Sequence, residues 1–356
     1  MGDIGKRKED HIHIALTKQV AMNRTTGFDD VELIHRALPE VDFARISLET
    51  TFLSHPLSAP VLISSMTGGT DQGREINRHL AEAARERGLA MAVGSQRVML
   101  EQPWTRSSFT VVREVAPEIV LFGNLGAVQL NYGMGIHAVR EAIGAIRADG
   151  LFLHLNPLQE AIQPEGNTDF LGLLDKIHAV AAQLPVPVLI KEVGCGIDPD
   201  IAEALVRCNV QGIDVSGAGG TSWAQIEGMR AQDASRQRLA TVFANWGINT
   251  ARSLVLCRAR LPKLPLIASG GIRNGLDAAK ALALGADLIG IAHPLLEAAT
   301  HSTEEVIAVL DQFLLELKVA MFLTGAGSLA DLRDQRRRMV ADHDPAPDHM
   351  GIISPD

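Results

Sequence analysis

The chain has 356 residues, is 46% hydrophobic, and carries 33 Lys and Arg against 42 Asp and Glu, a formal net charge of −9. That length supports one large core, or a core with arms. The charge argues against bulk binding of nucleic acid or anionic membrane but leaves room for a local basic site. The three cysteines, Cys195, Cys208 and Cys257, are too few and too scattered for a disulfide framework or a zinc site. No apolar run reaches membrane-spanning length. The expectation is a cytoplasmic protein in a reducing compartment, with no nucleic-acid or membrane partner.

Residues 1–59 precede the first expected strand and read as an N-terminal arm or lid over the body of the molecule. The charged stretch Gly2–Asp10 has no apolar segment behind it and is not a signal peptide. Arg7, Lys8 and His11 form a basic cluster there. Such a cluster is either a solvated charge run or a clamp for a diphosphate, with Arg97 beneath it.

Short, continuous apolar runs follow: Val61–Ser64, Ala90–Val93, Ile119–Phe122, Leu151–Leu155, Val188–Lys191, Gly212–Val215, Leu266–Ala268 and Leu288–Ile291. Continuity rather than alternation is the mark of parallel strands buried on both faces. Helical patterns lie between them over Arg74–Arg87, Ala138–Ala148, Leu171–Leu184, Pro199–Cys208 and Leu276–Leu284. Strand–helix units in this succession predict an α/β protein, a (β/α)8 TIM barrel over residues 60–341, more than an open doubly wound sheet. Ala218–Trp246 shows little periodicity and reads as a long βα6 loop before a helix at Asn249–Leu261. Connections that long in a compact domain are usually functional. Apolar faces over Ala298–Thr324 suit packing between subunits, and residues 342–356 read as a flexible tail.

In a barrel, chemistry collects where strands end and βα loops begin. Polar tails occur at all those places: Ser65-Met66-Thr67-Gly68-Gly69, Gly94-Ser95-Gln96-Arg97, Gly123-Asn124-Leu125-Gly126, His154 to Glu160, Lys191-Glu192, Ser216 to Thr221, Ser269 to Arg273, and Ala292-His293. Gly270-Gly271 with Arg273, and the glycines before Thr221, suit a phosphate held by backbone N–H groups. Ser95 and Asn124 offer neutral hydrogen bonds to a flavin edge. Lys191 either faces that ring, stabilising negative charge on its reduced form, or leaves the barrel for solvent. His154 and Asn156 alternate along a strand and can share the mouth. Gln159 could orient a proton-transfer partner, and Glu160 could bind Mg2+; the plain alternative for this tail is a polar helix start. A dinucleotide fingerprint on a first strand–turn–helix is missing.

Arg7-Lys8-Glu9-Asp10-His11-Ile12, Met66-Thr67-Gly68-Gly69, Gly94-Ser95-Gln96-Arg97, Asn156-Pro157-Leu158-Gln159-Glu160, Ser216 to Trp223 and Ser269 to Gly275 together resemble the signatures of the type 2 isopentenyl-diphosphate isomerases. The resemblance runs in the family's order from about Arg7 to the C-terminal helices. Its Gly-Gly-Ile-Arg piece is shared with many FMN barrels; its Asn-Pro-Leu-Gln-Glu piece is specific.

The resemblance implies an enzyme that interconverts isopentenyl and dimethylallyl diphosphate with reduced FMN and Mg2+, and with NADPH or NADH only to reduce the flavin. By similarity, FMN would be held by Ser65, Met66, Thr67, Ser95, Asn124, Lys191, Ser216, Thr221, Gly271, Ile272, Arg273, Ala292 and His293. The prenyl diphosphate would be held by Arg7, Lys8, His11, Arg97, His154, Asn156 and Gln159, with Glu160 on the metal and Gln159 at the proton transfer. At His293 an Arg is common in the family, which reduces that position to a backbone contact. A homo-oligomer, tetramer or octamer, is expected.

Moving an unactivated double bond through a tertiary cation is poorly matched to ordinary side-chain acids. The strand ends supply no obvious acid: the single tyrosine is Tyr132, and Cys195 lacks a partner. A reduced flavin fits that gap. A 2-hydroxy-acid oxidase would want a histidine base before the Gly-Gly tail, where Leu266-Ile267-Ala268-Ser269 has none. An inosinate-type dehydrogenase would want a cysteine in Ser216–Trp223, which also has none. A non-catalytic flavin- or phosphate-binding barrel would leave Asn156–Glu160 without a task.

Overall fold

The computed structural model describes residues 4–334, so the expected tail at 342–356 lies outside the described residues. In chain order the elements are α1 (Ile4–Thr17), β1 (Thr50–Phe52), β2 (His55–Leu57), β3 (Val61–Ile63), α2 (Asp71–Arg87), β4 (Ala90–Ala92), α3 (Arg97–Glu101), α4 (Ser107–Val115), β5 (Leu121–Gly126), α5 (Ile136–Ala145), β6 (Gly150–His154), α6 (Pro157–Ile162), α7 (Leu173–Gln183), β7 (Val188–Lys191) and α8 (Pro199–Arg207). Then come β8 (Gly212–Asp214), α9 (Trp223–Arg230), α10 (Ala234–Val242), α11 (Thr250–Arg260), β9 (Leu266–Ala268), α12 (Gly275–Leu284), β10 (Leu288–Ile291), α13 (His293–His301), α14 (Thr303–Thr324) and α15 (Leu329–Asp334).

Strands β3 to β10 close into a parallel barrel in sequential order, with β10 pairing β3 through Ile289↔Val61, Gly290↔Leu62 and Ile291↔Ile63. This is the (β/α)8 architecture expected from the apolar runs. Three of those runs, Val188–Lys191, Leu266–Ala268 and Leu288–Ile291, are strands over those same residues. The third barrel strand departs from expectation. It starts at Leu121 and runs on through Asn124 to Gly126, so the polar tail expected after the strand is part of it. Burial explains the shift, because all six of its residues, polar and glycine included, are enclosed.

The barrel interior is packed. Leu62, Ala90, Ala92, Phe122, Phe152, Leu189, Ile267 and Leu288 form one inner cluster, joined by Phe52 and Leu57 from the β1–β2 hairpin. The Phe52 ring meets Phe122 edge-on at 6.4 Å. Several of these residues open their strands, so the hairpin plugs the N-terminal end of the barrel. Within residues 1–59, the hairpin packs at this end, whereas Arg7, Lys8 and His11 of α1 line the cavity at the other.

The stretch Ala218–Trp246 also differs from the loop read in the sequence, because it holds α9 and α10. Their start signals are local. Ser222 caps α9 by accepting from the Gln225 N–H, and Asp233 caps α10 by accepting from Ser235 and Arg236. Weak amphipathicity hid these helices from a periodicity reading. Segment 20–22 pairs with the same stretch, Met22 N–H donating to Gly220 O at 2.9 Å and Ser222 N–H to Val20 O at 2.7 Å. Arm and βα6 segment thus form one cover.

Candidate active site

The C-terminal ends of the strands surround a cavity of about 260 Å3. Every candidate site residue read from the sequence lines it, from Arg7 in α1 to His293 at the start of α13.

One wall is built from strand tips and backbone. Gly270 and Gly271 have φ of +98° and +79°, which favour glycine. A Cβ on Gly271 would stand 2.5 Å from the Gly219 carbonyl oxygen, so the β8 and β9 tips interlock only without side chains. Thr250 fixes the same turn, its hydroxyl donating to Gly270 O at 2.5 Å. Ala292, just ahead of α13, provides no side-chain cap, which leaves first-turn N–H groups available at the cavity edge. The hydroxyls of Ser64, Ser65 and Thr67 are buried in this wall without a hydrogen-bond partner. Buried polar groups seldom go unsatisfied, so such orphans indicate a ligand. This wall suits the polar edge and phosphate of FMN.

Deeper in, Gln96 donates to Ala142 O at 2.8 Å and accepts from Asn124 N–H at 3.1 Å, holding the β4 and β5 tips together. Asn124 Oδ1 accepts from His154 Nδ1–H at 2.7 Å. Burial, then the charges of Lys191 and Lys8, push the His154 imidazole down to about 3, so it is neutral and its Nε2 is left as an acceptor. The Lys191 ammonium is enclosed and donates to Glu192 O at 2.5 Å. It faces the cavity and does not escape to solvent.

The opposite wall is side chains. Arg7 and Lys8 come from α1, and Arg97 from the start of α3, where it pairs with Glu101 at 2.6 Å. Burial pulls the Arg7 guanidinium below its ordinary value. Lys8 is half-buried as a residue, but its ammonium end is enclosed; burial and the Arg7 charge lower it to about 8. Asn156 organises the tail of β6, its amide donating to Gln159 Oε1 at 3.1 Å and Glu160 Oε1 at 2.9 Å. Glu160 Oε2 accepts from Asn167 N–H at 2.6 Å. Glu160 is 7% exposed and has no salt bridge among the described residues. A buried carboxylate without a cationic partner, on a cavity wall, suits a hard cation. No cluster of three or more metal-ligating side chains occurs among the described residues, so most of that cation's ligands would be substrate and solvent oxygens.

Sequence reasoning missed Glu227. It is 0% exposed in α9 and joins three parts of the site: His11 at 3.0 Å, the Gln159 amide at 2.8 Å, and Arg230. Gln163, in the amide orientation its neighbours require, accepts from Arg7 at 3.0 Å and donates to Glu227 at 3.2 Å. Burial alone would raise the Glu227 carboxyl, but the hydrogen bond and charge of His11, then the Gln159 hydrogen bond and the Arg230 charge, bring it down to about 2. Burial also holds His11 below its ordinary value. Arg230 is the permanent counter-charge, and the His11 ring adds its hydrogen bond. Trp223, quoted in a motif but given no role, packs edge-on to His11 at 5.2 Å. The Ser222 cap with Gln225 three residues on was the available signal for a helix here.

A parallel barrel with a glycine-rich phosphate wall and a polar cavity at its strand tips defines the FMN barrels, and the comparisons agree. A family profile described as FMN-dependent dehydrogenase matches residues 5–102 and 159–339, and the chain belongs to that family. Among solved structures, a lactate oxidase of Pediococcus acidilactici superposes with a TM-score of 0.67 at 18% identity, covering 93% of this chain and 91% of that one. A mandelate oxidase with (S)-2-phenylpropionate superposes with a TM-score of 0.64 at 20% identity, covering 92% and 95%. At such identities these neighbours speak for the fold alone. Closer relatives set the branch. The isopentenyl-diphosphate delta-isomerase of Stutzerimonas stutzeri is 50% identical over 331 residues, 93% of this chain and 96% of the relative. That of Paracoccus zeaxanthinifaciens is 52% identical over 338 residues, 93% and 96%. The chain belongs to the isopentenyl-diphosphate delta-isomerases, in their FMN-dependent type 2 form.

Proposed function

We propose that the enzyme interconverts isopentenyl and dimethylallyl diphosphate by adding one proton and removing another, with FMN in its reduced state, Mg2+ on the diphosphate, and NADPH or NADH needed only as flavin reductant. One observation carries this reading: cationic Arg7, Lys8 and Arg97 and the Asn156–Gln159–Glu160 triplet face the same cavity as the glycine-rich wall.

Reduced FMN, when bound, would supply a proton-transfer atom and an electron-rich ring beside a developing cation, without net redox. The chain's own groups do the rest. Ser65, Met66, Thr67, Ser95 and Asn124 would meet the ring, with Lys191 at its electron-rich edge. Ser216, Thr221, Gly271, Ile272, Arg273, Ala292 and His293 would hold the tail and phosphate. Arg7, Lys8, His11 and Arg97 clamp the diphosphate, and Glu160 holds the metal on it. His154 and Asn156 border the prenyl chain. Gln159 is neutral and positions a group or relays a proton rather than acting as a base. Its Nε2–H is engaged by Glu227, which aims the amide. Within residues 1–59, α1 closes the site from above, its His11 packed against Trp223 of α9, while the hairpin stays below.

The test is direct. Protein reconstituted with FMN, reduced, and given Mg2+ should convert isopentenyl diphosphate to dimethylallyl diphosphate, and a 2-hydroxy acid with oxygen should give no peroxide. Q159N should lower turnover with flavin binding kept, and E160Q should weaken the Mg2+ dependence. A colourless reconstituted protein, or an unaltered metal titration in E160Q, would refute the corresponding part.

A further inference from the structure

One buried acid under the cavity has no place in that reading. Asp214 ends β8 and is 0% exposed. Its Oδ1 accepts from Ser216 N–H at 3.1 Å and from the Ser269 hydroxyl at 2.7 Å. Its Oδ2 is buried without a hydrogen-bond partner. A buried acid in that state needs either a compensating charge or a proton. Lys191 is the candidate, standing in register with Asp214 across β7 and β8.

Lys191 has the matching deficit. It is 7% exposed, its ammonium donates to a neutral carbonyl, and it has no salt bridge among the described residues. Three titratable groups face it. His154, its register partner on β6, is neutral. Glu192, the residue after its strand, binds the N–H groups of Val193, Gly194 and Cys195 through Oε2, and burial raises it to about 7. Asp214 is the third, on β8. Burial pushes Asp214 up and Lys191 down, and each charge opposes the shift of the other. In a low-dielectric interior this coupling acts beyond hydrogen-bond distance.

Asp214 also governs local geometry. Ser216 has φ +38°, rare for a residue with a side chain, and the Asp214 carboxylate holds its N–H in that turn. Ser216 and Ser269 both rim the cavity.

We propose that Asp214 is a positioning residue for the flavin chemistry: it keeps the Lys191 ammonium charged and aimed at the ring, and the same carboxylate pins the β8 and β9 tips beneath it. This rests on Lys191 being the flavin's cation. Each strand contributes one part, with the cation on β7, the counter-charge on β8 and the anchoring hydroxyl after β9.

The experiment is flavin potentiometry on the FMN-loaded enzyme with K191M, D214N and S269A. K191M should lower the two-electron midpoint potential, since a cation at the ring favours the reduced anion. D214N keeps an acceptor oxygen for Ser216 and Ser269, so FMN should still bind. Its potential should fall toward the K191M value near neutral pH and recover as the pH is lowered, when Lys191 regains its proton. Turnover should fall, with KM little changed. S269A removes a contact and no charge, so its potential should match wild type. A wild-type potential and pH profile in D214N, even with reduced turnover, would overturn the proposal and leave Asp214 a structural residue. No shift in K191M would overturn the Lys191 reading itself, and the proposal with it. Where D214N does not fold, D214E keeps the charge: a wild-type potential in D214E supports the proposal, and one as low as K191M overturns it.

Discussion

Lys8 shows what enclosure does to a single residue. Its ammonium, lowered to about 8 by burial and the Arg7 charge, is protonated below that pH and neutral above it. A diphosphate clamp built on it should weaken as pH rises. We expect kcat/KM for isopentenyl diphosphate, which reports the free enzyme, to fall above pH about 8. K8R should move that limb to higher pH, because a guanidinium keeps its charge. An unmoved limb in K8R would assign it to another group. Lys8 was legible from its motif; its lowered affinity for protons was not, because that depends on α1 lying against the cavity.

At the scale of elements, α1, the segment after β6 and α9 are tied at Arg230. Its guanidinium reaches Asp10 at 3.7 Å, Glu165 at 3.0 Å and Glu227. Glu227 in turn meets His11 and Gln159, so one cation links the arm, the segment after β6 and the βα6 cover. R230M would leave Glu227 buried without its counter-charge, a change worth on the order of 3 kcal/mol. The expected result is a KM at least about tenfold higher, with FMN affinity near wild type and faster proteolysis within 218–246. Equal KM in R230M and wild type would show that the cover closes without this link. A periodicity reading overlooked α9 and α10 because their polarity is mixed on all sides; their cover role needs the pairing of segment 20–22 with the βα6 stretch.

The whole molecule divides function from stability. The cavity of the proposed chemistry sits at the strand C-termini, while the strand starts are held by two matching clamps on opposite sides of the barrel. Arg113 in α4 donates to Pro117 O at 3.0 Å, Ile119 O at 2.6 Å and Asp149 Oδ2 at 2.7 Å, and that oxygen also accepts from Leu121 N–H at the start of β5. Arg258 in α11 donates to Leu264 O at 2.9 Å and Asp287 Oδ2 at 2.7 Å, and that oxygen accepts from Leu266 N–H at the start of β9. Both arginines are 8% exposed. R113M or R258M leaves several carbonyls without their donor and a half-buried aspartate without its arginine, and should lower unfolding stability by about 1–3 kcal/mol while leaving the flavin spectrum unchanged. Urea unfolding followed beside flavin absorbance separates the two effects. Loss of flavin at unchanged stability would contradict this division. At the same scale, Leu315, Val319 and Leu323 of α14 are exposed, a face that suits the expected homo-oligomer.

Apolar runs, capping residues and glycine pairs are local properties, so the chain alone determined the barrel, the order of its units and the residues that face its mouth. Ser65, Gln159 and Gly271 could be named because each stands beside a strand end, and side chains at strand ends converge whatever the loops do. Charge balance is not local. That Glu227 braces Gln159, that Asp214 faces Lys191, and that the arm divides between a plug and a cover follow from contacts between residues far apart in sequence. Only folding sets those distances, and with them the solvation and the pairing of each charge.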